Sequence, residues 1–534
     1  MSGLSRRRLL ISAAALAGGV ATFGRPSRAL AVPTVGELSN LEEIGPGDRD
    51  YLALTQRGYN PRFLARPEKI FVPASADETV VAVQRAVDQG LRIALRSGGH
   101  CFEDLVDHPE TKAIIDLRLQ AEVRYDQAQR SFSVGAGAGL GVVYGQLYRG
   151  WGVTIPGGSC LGVGMGGHAS GGGFGPLSRL FGSVVDHIYG VEVVVVDAAG
   201  KAAVVLATRD GQNADLWWAH TGGGGGSFGV VTRFLLRSHD SDGSDDPARL
   251  LPTPPANLMT SQIILPTASE DSFVRFVGNY LAFFEDNSEP GSRFASLYAP
   301  MFVSPLLGGV CQVTPRLDAD LPDARALHDE FVSAVIAGVW PPPVVVPATE
   351  GPFLDMSSRL SAPKGRAPSS GKYKGANLRR AYSPEQLRTL HRYLSDPRFQ
   401  GLESGVEFLP VGGAINARSS DATAMPTRDS FMKAFFIASW RNPAEENAYL
   451  EWSRNMYRDI YVDTGGVPVP NHANGGSYIN YPDNDLRDPR WNTSGVPWHT
   501  VYFGNNYARL QQIKAKWDPC DIFRHRLSIE LPER

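Results

Sequence analysis

Between Ala74 and Gly90 the apolar residues recur at helical spacing. Val80, Val81, Val83, Ala86 and Val87 predict a helix over 77–89, with Ser75 or Asp77 as its cap and Gly90 as its stop. Short apolar runs then predict strands over 92–96 and 113–117, and two more between Val123 and Val134. Residues 141–150 read as a second helix. The run 190–196 is continuously apolar, as in a strand buried on both faces. Residues 203–207 return as its hairpin mate across Asp197-Ala198-Ala199-Gly200. The stretch 240–255, rich in Asp, Ser and Pro, reads as a boundary. From Met259 to about Pro470 strands and helices alternate, with proline-rich insertions such as 340–347. No repeat or heptad pattern appears. The mixture predicts an α+β protein.

The first residues stand apart from this pattern. Ser5-Arg6-Arg7-Arg8-Leu9-Leu10 is a twin-arginine pattern. An apolar run over 11–23 follows, then Ala29-Leu30-Ala31, an A-x-A cleavage site. We read 1–31 as a twin-arginine signal peptide and expect a secreted, extracellular protein. The alternative is a membrane anchor. The run is interrupted by glycine and falls short of the ~20 apolar residues a spanning helix needs, so no stable membrane association is expected.

At 534 residues, 43% of them hydrophobic, the chain exceeds the size at which one core stops growing, so two domains are expected. Net charge is −3, and no basic block or aromatic–basic stripe points to nucleic acid. The 58 glycines cluster between 135 and 229. That clustering changes the picture, because it frames two loops with reactive side chains.

The first loop is Arg96-Ser97-Gly98-Gly99-His100. The second runs from Pro156-Gly157-Gly158-Ser159-Cys160 to Gly171-Gly172-Gly173-Phe174-Gly175. Glycine has no Cβ, so peptide N–H groups can close around an anion. A pyrophosphate held this way, with an imidazole and a thiolate near the attached ring, describes a flavin site. Gly162-x-Gly164-x-x-Gly167 formally matches a dinucleotide fingerprint. The surrounding glycines and Pro156 suit a loop better than a helix, and we reject that reading. A zinc site built from His100, Cys101, Glu103, Asp104 and His108 is a second alternative. Its spacing matches no common closed site and leaves Gly98-Gly99 unexplained, so no metal is expected. An exported protein could pair all four cysteines. If Cys160 holds a flavin, at least one of Cys101, Cys311 and Cys520 is unpaired.

R-S-G-G-H, the P-G-G-x-C stretch, Gly222 to Gly226 running into Ser227-Phe228-Gly229-Val230-Val231-Thr232, and Tyr478-Ile479-Asn480-Tyr481 occur in one order. In that order the chain resembles the berberine-bridge-enzyme-like branch of the FAD-linked oxidases over residues 60–530. It is most similar to secreted actinobacterial oxidases that act on sugars of antibiotics. The resemblance implies a two-part PCMH-type FAD-binding domain over 60–238. It implies a substrate domain over 255–480, an antiparallel sheet covered by helices, and a segment over 481–534 that returns to the FAD domain. It implies bicovalent FAD, through His100 to the 8α-methyl carbon and Cys160 to C6. The cofactor contacts it implies are Arg96, Ser97, Gly98, Gly99, Gly158, Val163, Gly164, Gly167, His168, Gly172, Gly173, Val230, Asn480 and Tyr481. Arg96 would face the pyrophosphate or the flavin N1/C2=O side, or else be a surface charge. His168 is either a cofactor contact or a hydrogen-bonded loop histidine.

By the same resemblance Tyr481 is the base for a carbinol hydroxyl, and Tyr478 its partner or a flavin-packing ring. In an extended stretch Tyr478 and Asn480 would share one face and Tyr481 the other. Tyrosine is a poor base at its ordinary pKa of about 10 unless a cation or a hydroxyl donor stabilises the phenolate. The bland alternative is two packed tyrosines. Tyr461 is a weaker third candidate. Phe174 lacks the hydroxyl that some relatives carry there. Val163 would lie beside flavin C4a and go with oxygen access, which implies an oxidase yielding H2O2. The expected substrate is a small-molecule sugar or a glycosylated natural product, with O2 as acceptor. The alternatives are flavin-dependent oxidation or ring closure of a phenolic, alkaloid or polyketide substrate, an exported zinc hydrolase, and a cofactor-free binding protein.

Overall fold

Three sheets carry the chain, and each takes its strands from one stretch of sequence. The computed structural model describes residues 41–534 apart from 242–243, 267–268, 306–309, 360–368, 400–402 and 534. The expected signal peptide lies outside the described residues.

The first sheet contains β1 (Glu42–Ile44), β2 (Lys69–Val72), β3 (Ile93–Arg96) and β4 (Ala113–Asp116), in the order β1-β2-β4-β3. β4 is parallel to both β2 and β3. The helix Ala76–Asp88 carries the chain from β2 over to β3, on the far side of β4. Val81, Ala82, Val83 and Ala86 are buried on that helix. Of the two candidate caps, Ser75 acts: its side chain accepts from the Glu78 amide. β3 ends at Arg96, so the R-S-G-G-H loop leaves from the carboxyl end of a parallel strand, where open α/β sheets bind ligands.

The second sheet holds β5 (Val123–Asp126), β6 (Ser131–Gly135), β7 (Ile188–Val196), β8 (Ala202–Thr208) and β9 (Val230–Leu236), ordered β5-β6-β9-β7-β8. β7 and β8 form the expected hairpin, with Val196 opposite Ala202. Most of β7 is buried, while β8 exposes much of its surface. The helix Leu140–Trp151 sits where the second helix was expected.

The third sheet is antiparallel. It contains β10 (Asn257–Leu265), β11 (Met301–Ser304), β12 (Val310–Val313), β13 (Arg316–Asp318), β14 (Val344–Pro352), β15 (Ser370–Leu378), β16 (Gly405–Pro410) and β17 (Met432–Trp440). The order is β13-β10-β12-β11-β16-β17-β15, with β14 also on β10. Part of the proline-rich 340–347 insertion thus joins the sheet as β14. The helices Glu270–Asp286 and Glu446–Ile460 pack on β17, and they bury Phe273, Phe276, Tyr280, Phe284, Met456 and Tyr457. The sheet is covered by helices, as the resemblance implied. One continuous core includes Phe132 and Val193 of the second sheet and Phe276 and Phe408 of this region.

Two local expectations are corrected. Residues 165–170, read as loop, form a short helix, Met165–Ser170, because Met165 and Ala169 bury one turn at i,i+4 spacing. No strand precedes it, so the dinucleotide fingerprint still lacks its context. Residues 478–481, read as extended, close into a turn, with the Tyr481 amide donating to the Tyr478 carbonyl at 2.8 Å.

Candidate active site

A cavity of about 680 Å³ lies where the glycine loops, the Tyr478–Tyr481 turn and one face of the third sheet meet. His100, Cys160, Tyr478 and Tyr481 all line it, so residues far apart in sequence share one chamber.

The two reactive loops touch through glycine. A Cβ on Gly98 would come within 2.3 Å of the Gly164 amide nitrogen, so only bare backbone permits the contact. The Ser97 hydroxyl donates to the Ala136 carbonyl at 2.6 Å and pins the first loop. The His100 ring stacks on Tyr59, centroids 4.7 Å apart. Burial pushes the imidazole down to about 4, so it is neutral at ordinary pH and keeps a free lone pair.

The Cys160 loop is clamped at Gly158. The Gly158 amide donates to His168 Nε2 at 3.1 Å, and the Tyr144 hydroxyl donates to the Gly158 carbonyl at 2.8 Å. Burial pushes His168 down to about 4, which leaves Nε2 an acceptor. His168 thus holds the loop by a hydrogen bond and also lines the cavity. Burial, then the charge of Glu407, pushes the Cys160 thiol up to about 11. All four cysteines are free.

The tyrosine turn has a local cause. The Asn480 amide donates to the His168 carbonyl at 3.1 Å and to the Tyr478 hydroxyl at 2.9 Å. A Cβ on Gly171 would lie 2.0 Å from Asn480 Oδ1, so that position must be glycine for the amide to dock. The turn brings both tyrosines to the same side: their rings meet edge to face at 5.1 Å. Tyr481 stacks on Phe435 at 4.1 Å, and Tyr478 meets the edge of Phe174 at 5.4 Å. Burial, then the charge of Glu407, holds the Tyr481 phenol well above its ordinary range.

The third sheet supplies residues that sequence reasoning missed. Residues paired across antiparallel strands share a face. One row runs Phe435, Glu407, Phe302, Gln312 across β17, β16, β11 and β12. Gln312, Thr314 and Arg316 alternate along the chain and, with Gln262 and Tyr298, line the cavity. Burial pushes the Glu407 carboxyl up to about 7, against the pull of Arg316. Lys433 stands over the Tyr478 ring at 4.6 Å and donates to Asn377 Oδ1 at 2.6 Å. Burial, then the charge of Arg428, brings Lys433 down to about 7. A single lysine inside the apolar strand Met432–Trp440 was the signal available in the sequence.

Not every named residue lines the cavity. Arg96 does, and it is not a surface charge: its buried guanidinium donates to the Leu54 carbonyl and to Asp107. Gly172 packs on Met425, Gly173 packs on the His168 ring, and Val230 is buried within β9; none of the three lines the cavity, whereas Val231 does. The Tyr461 hydroxyl bonds Tyr382 and is remote from the cavity lining. Val163, Gly98, Gly99, Gly164 and Gly167 line it as expected. Of the candidate zinc ligands, Glu103 pairs with Lys372, Asp104 accepts from Asn484, and His108 Nε2 lies 3.7 Å from Asp104.

The residues present fit a flavin dinucleotide. A Cβ on Gly167 would meet no atom within 4 Å, and one on Gly225 only the Gly167 Cα at 3.8 Å, so both present bare backbone to the cavity. A neutral imidazole and a thiol stand on the touching loops. Fold and site together define an FAD-linked oxidoreductase. Residues 67–204 match the FAD binding domain model, and residues 477–530 match the "berberine and berberine like" model. The chain is 43% identical to the aclacinomycin-N/aclacinomycin-A oxidase of Streptomyces galilaeus, over 100% of this chain and 99% of that one. It is 28% identical to the hexose oxidase of Chondrus crispus, over 89% of this chain and 92% of that one. The solved glycopeptide hexose oxidase complexed with teicoplanin superposes with a TM-score of 0.88 at 44% identity, covering 92% of this chain and 99% of that chain. The chain belongs to the berberine-bridge-enzyme-like family.

Proposed function

We propose that this protein is an exported flavoprotein oxidase, with FAD tethered through His100 and Cys160. It oxidises a carbinol carbon on a sugar or a glycosylated natural product and reduces O2 to H2O2. One observation carries the substrate reading: the cavity lining combines Gln262, Gln312, Thr314 and Arg316 with the rings of Tyr59, Phe102, Phe435 and Tyr481. Amide, hydroxyl and guanidinium groups match sugar hydroxyls, and aromatic faces match sugar C–H surfaces. The relatives named above as a hexose oxidase and a glycopeptide hexose oxidase point the same way. Export through the twin-arginine route suits a folded, cofactor-loaded enzyme.

The bound flavin supplies the redox chemistry, taking a hydride from the carbinol carbon and passing the two electrons to O2. The protein supplies proton transfer and placement. Tyr481 accepts the hydroxyl proton at its phenolic oxygen once that phenol has lost its own proton to solvent, an ionisation that burial and the charge of Glu407 oppose. Stacking on Phe435 fixes its ring. Because Asn480 donates to the Tyr478 oxygen, the Tyr478 hydrogen is left to donate toward the Tyr481 phenolate. The charge of Lys433 over Tyr478 favours the same anion.

The test is direct. Acid-precipitated wild-type protein stays yellow, with flavin on peptides containing His100 and Cys160. His100→Ala and Cys160→Ala each keep one link, and the double variant releases FAD. A colourless pellet under a yellow supernatant overturns the tether. A peroxide-release screen over free hexoses, oligosaccharides and glycosylated antibiotics then tests the substrate class; peroxide from phenolic or alkaloid substrates alone overturns it.

A further inference from the structure

Three residues beyond His100, a chain of buried charges begins that no catalytic role accounts for. Glu103 pairs with Lys372 on β15. Lys372 Nζ lies 2.7 Å from Asp483, two residues past Tyr481. Lys374 Nζ lies 2.7 Å from Asp483 and 2.8 Å from Asp485. Arg454, on the helix Glu446–Ile460, binds both Asp485 oxygens at 2.8 and 3.0 Å. Three cations thus meet three carboxylates, and the Lys372, Lys374, Glu103, Asp483 and Asp485 side chains are each at most 7% exposed. Burial opposes the charge on Lys372, yet Asp483, Asp485 and Glu103 outweigh it and hold the lysine above its ordinary range.

Neutral hydrogen bonds run beside the charges. Asn484 donates to Asp104 at 2.7 Å and to Glu103 at 3.3 Å. Asn60 donates to the Phe102 and Gly371 carbonyls at 2.7 and 2.9 Å and accepts from the Gly371 amide. The Asp483 amide donates to the Tyr502 hydroxyl, which donates to the Tyr481 carbonyl. The Glu103–Lys372–Asp483 pairs and the Asn484 bonds join three segments, the loop after His100, β15, and the loop carrying Tyr481, while Arg454, Asn60 and Tyr502 tie these to neighbouring elements.

Buried ion pairs are a weak source of stability, since apolar side chains of similar size often serve as well. What they supply is direction, because each charge must find its partners in one arrangement. We propose that the Glu103–Lys372–Asp483 chain is a positioning device that fixes the His100 loop against the Tyr478–Tyr481 turn, and so sets the distance between the tethered flavin and the base. None of Glu103, Lys372 and Asp483 lines the cavity. The proposal rests on the flavin reading of the site given above.

The test uses full-length enzyme carrying its flavin. Lys372→Met alone leaves the buried Glu103 without its cation, while Asp483 and Asp485 keep Lys374, and its melting temperature falls. Glu103→Gln/Lys372→Met removes one charge of each sign and keeps the remainder balanced. Its melting temperature stays within about 4 °C of wild type. Its anaerobic flavin reduction by substrate slows about 10- to 100-fold, the cost of a misplaced reacting pair, while KM changes little. The fraction of flavin linked at His100, read on denatured peptides, also falls. Asn484→Ala, a mild change at a half-buried site, slows reduction by a smaller factor with unchanged melting. Wild-type reduction and wild-type His100 linkage in a stable double variant overturn the proposal. Should the double variant fail to fold, Asn484→Ala decides, and a wild-type rate there overturns it equally. If no sugar reduces the wild-type flavin, the substrate reading fails, whereas the linkage fraction still tests the positioning.

Discussion

Tyr481 carries the sharpest expectations at the scale of single residues. Tyr481→Phe keeps the stack on Phe435 and deletes only the oxygen. General-base catalysis contributes about 10²–10⁴-fold, so flavin reduction should fall by that factor in anaerobic stopped flow, with the flavin spectrum unchanged. Tyr478→Phe should fall less, since that hydroxyl only supports the phenolate. The pH profile separates the neighbours. An ionised Glu407 raises the Tyr481 phenol, so Glu407→Gln removes a like charge and should move the alkaline limb of the reduction rate to lower pH, by roughly one unit. A limb that stays in place clears Glu407 of influence on the base. Glu407 also affects stability. Its folded pKa, about 7, is raised from 4.5, so the stability it contributes is complete below about 4.5 and is lost as pH rises through about 7. Val163→Leu tests the oxygen path. Reoxidation by air should slow while reduction by substrate does not; equal reoxidation rates remove Val163 from the account.

At the scale of elements, six of the nine strands of the first two sheets, and the helices Ala76–Asp88 and Leu140–Trp151, were legible because local patterns decide them. Ser75 before an apolar helical stripe and Gly90 after it bounded that helix within a residue or so. The misreadings share a different cause. The Tyr478–Tyr481 turn depends on the Asn480 amide reaching the His168 carbonyl, a partner that no local pattern announces. That Arg96 is buried rather than a surface charge also depends on a distant partner, Asp107, which lies across a loop. Glu407, Gln312 and Thr314 looked like ordinary strand residues until β-sheet register put them on the cavity face. Gly175 offers a test at this scale. A Cβ there would lie 1.8 Å from the Gly157 carbonyl oxygen, just upstream of Cys160. Gly175→Ala should therefore displace the Cys160 loop and lose the cysteine link, while His100 keeps its own. Peptide mapping that finds both links intact shows that the loop absorbs the methyl group.

At the scale of the whole molecule, the cavity depends on the last stretch of the chain folding back on the glycine run. The helix Tyr507–Trp517 packs on the helix Ala214–Ala219. His525 Nε2 bonds the Gly225 carbonyl, and the Ile529 amide donates to the Ser227 hydroxyl. Lys514 is the hub of this return. Its ammonium donates to the Ser227 carbonyl at 2.8 Å, the Phe523 carbonyl at 2.7 Å and Asp518 at 2.6 Å. The side chains of Lys514 and Asp518 are both fully buried. Lys514→Met would keep the methylene packing and leave Asp518 as a buried charge with its amide donors alone. Such a change costs about 3–5 kcal/mol, and it also frees the Ser227 carbonyl next to Gly224, Gly225 and Gly226, which line the cavity. We expect a lower melting temperature together with weaker retention of FAD in a variant that also lacks both tethers, His100→Ala/Cys160→Ala. Lys514→Met/Asp518→Asn should recover most of the melting loss, because no unpaired charge then remains. Melting curves and flavin release by ultrafiltration read the two effects separately. Full FAD retention in the destabilised variant would mean that the returning segment only stabilises the fold and does not shape the cofactor cavity.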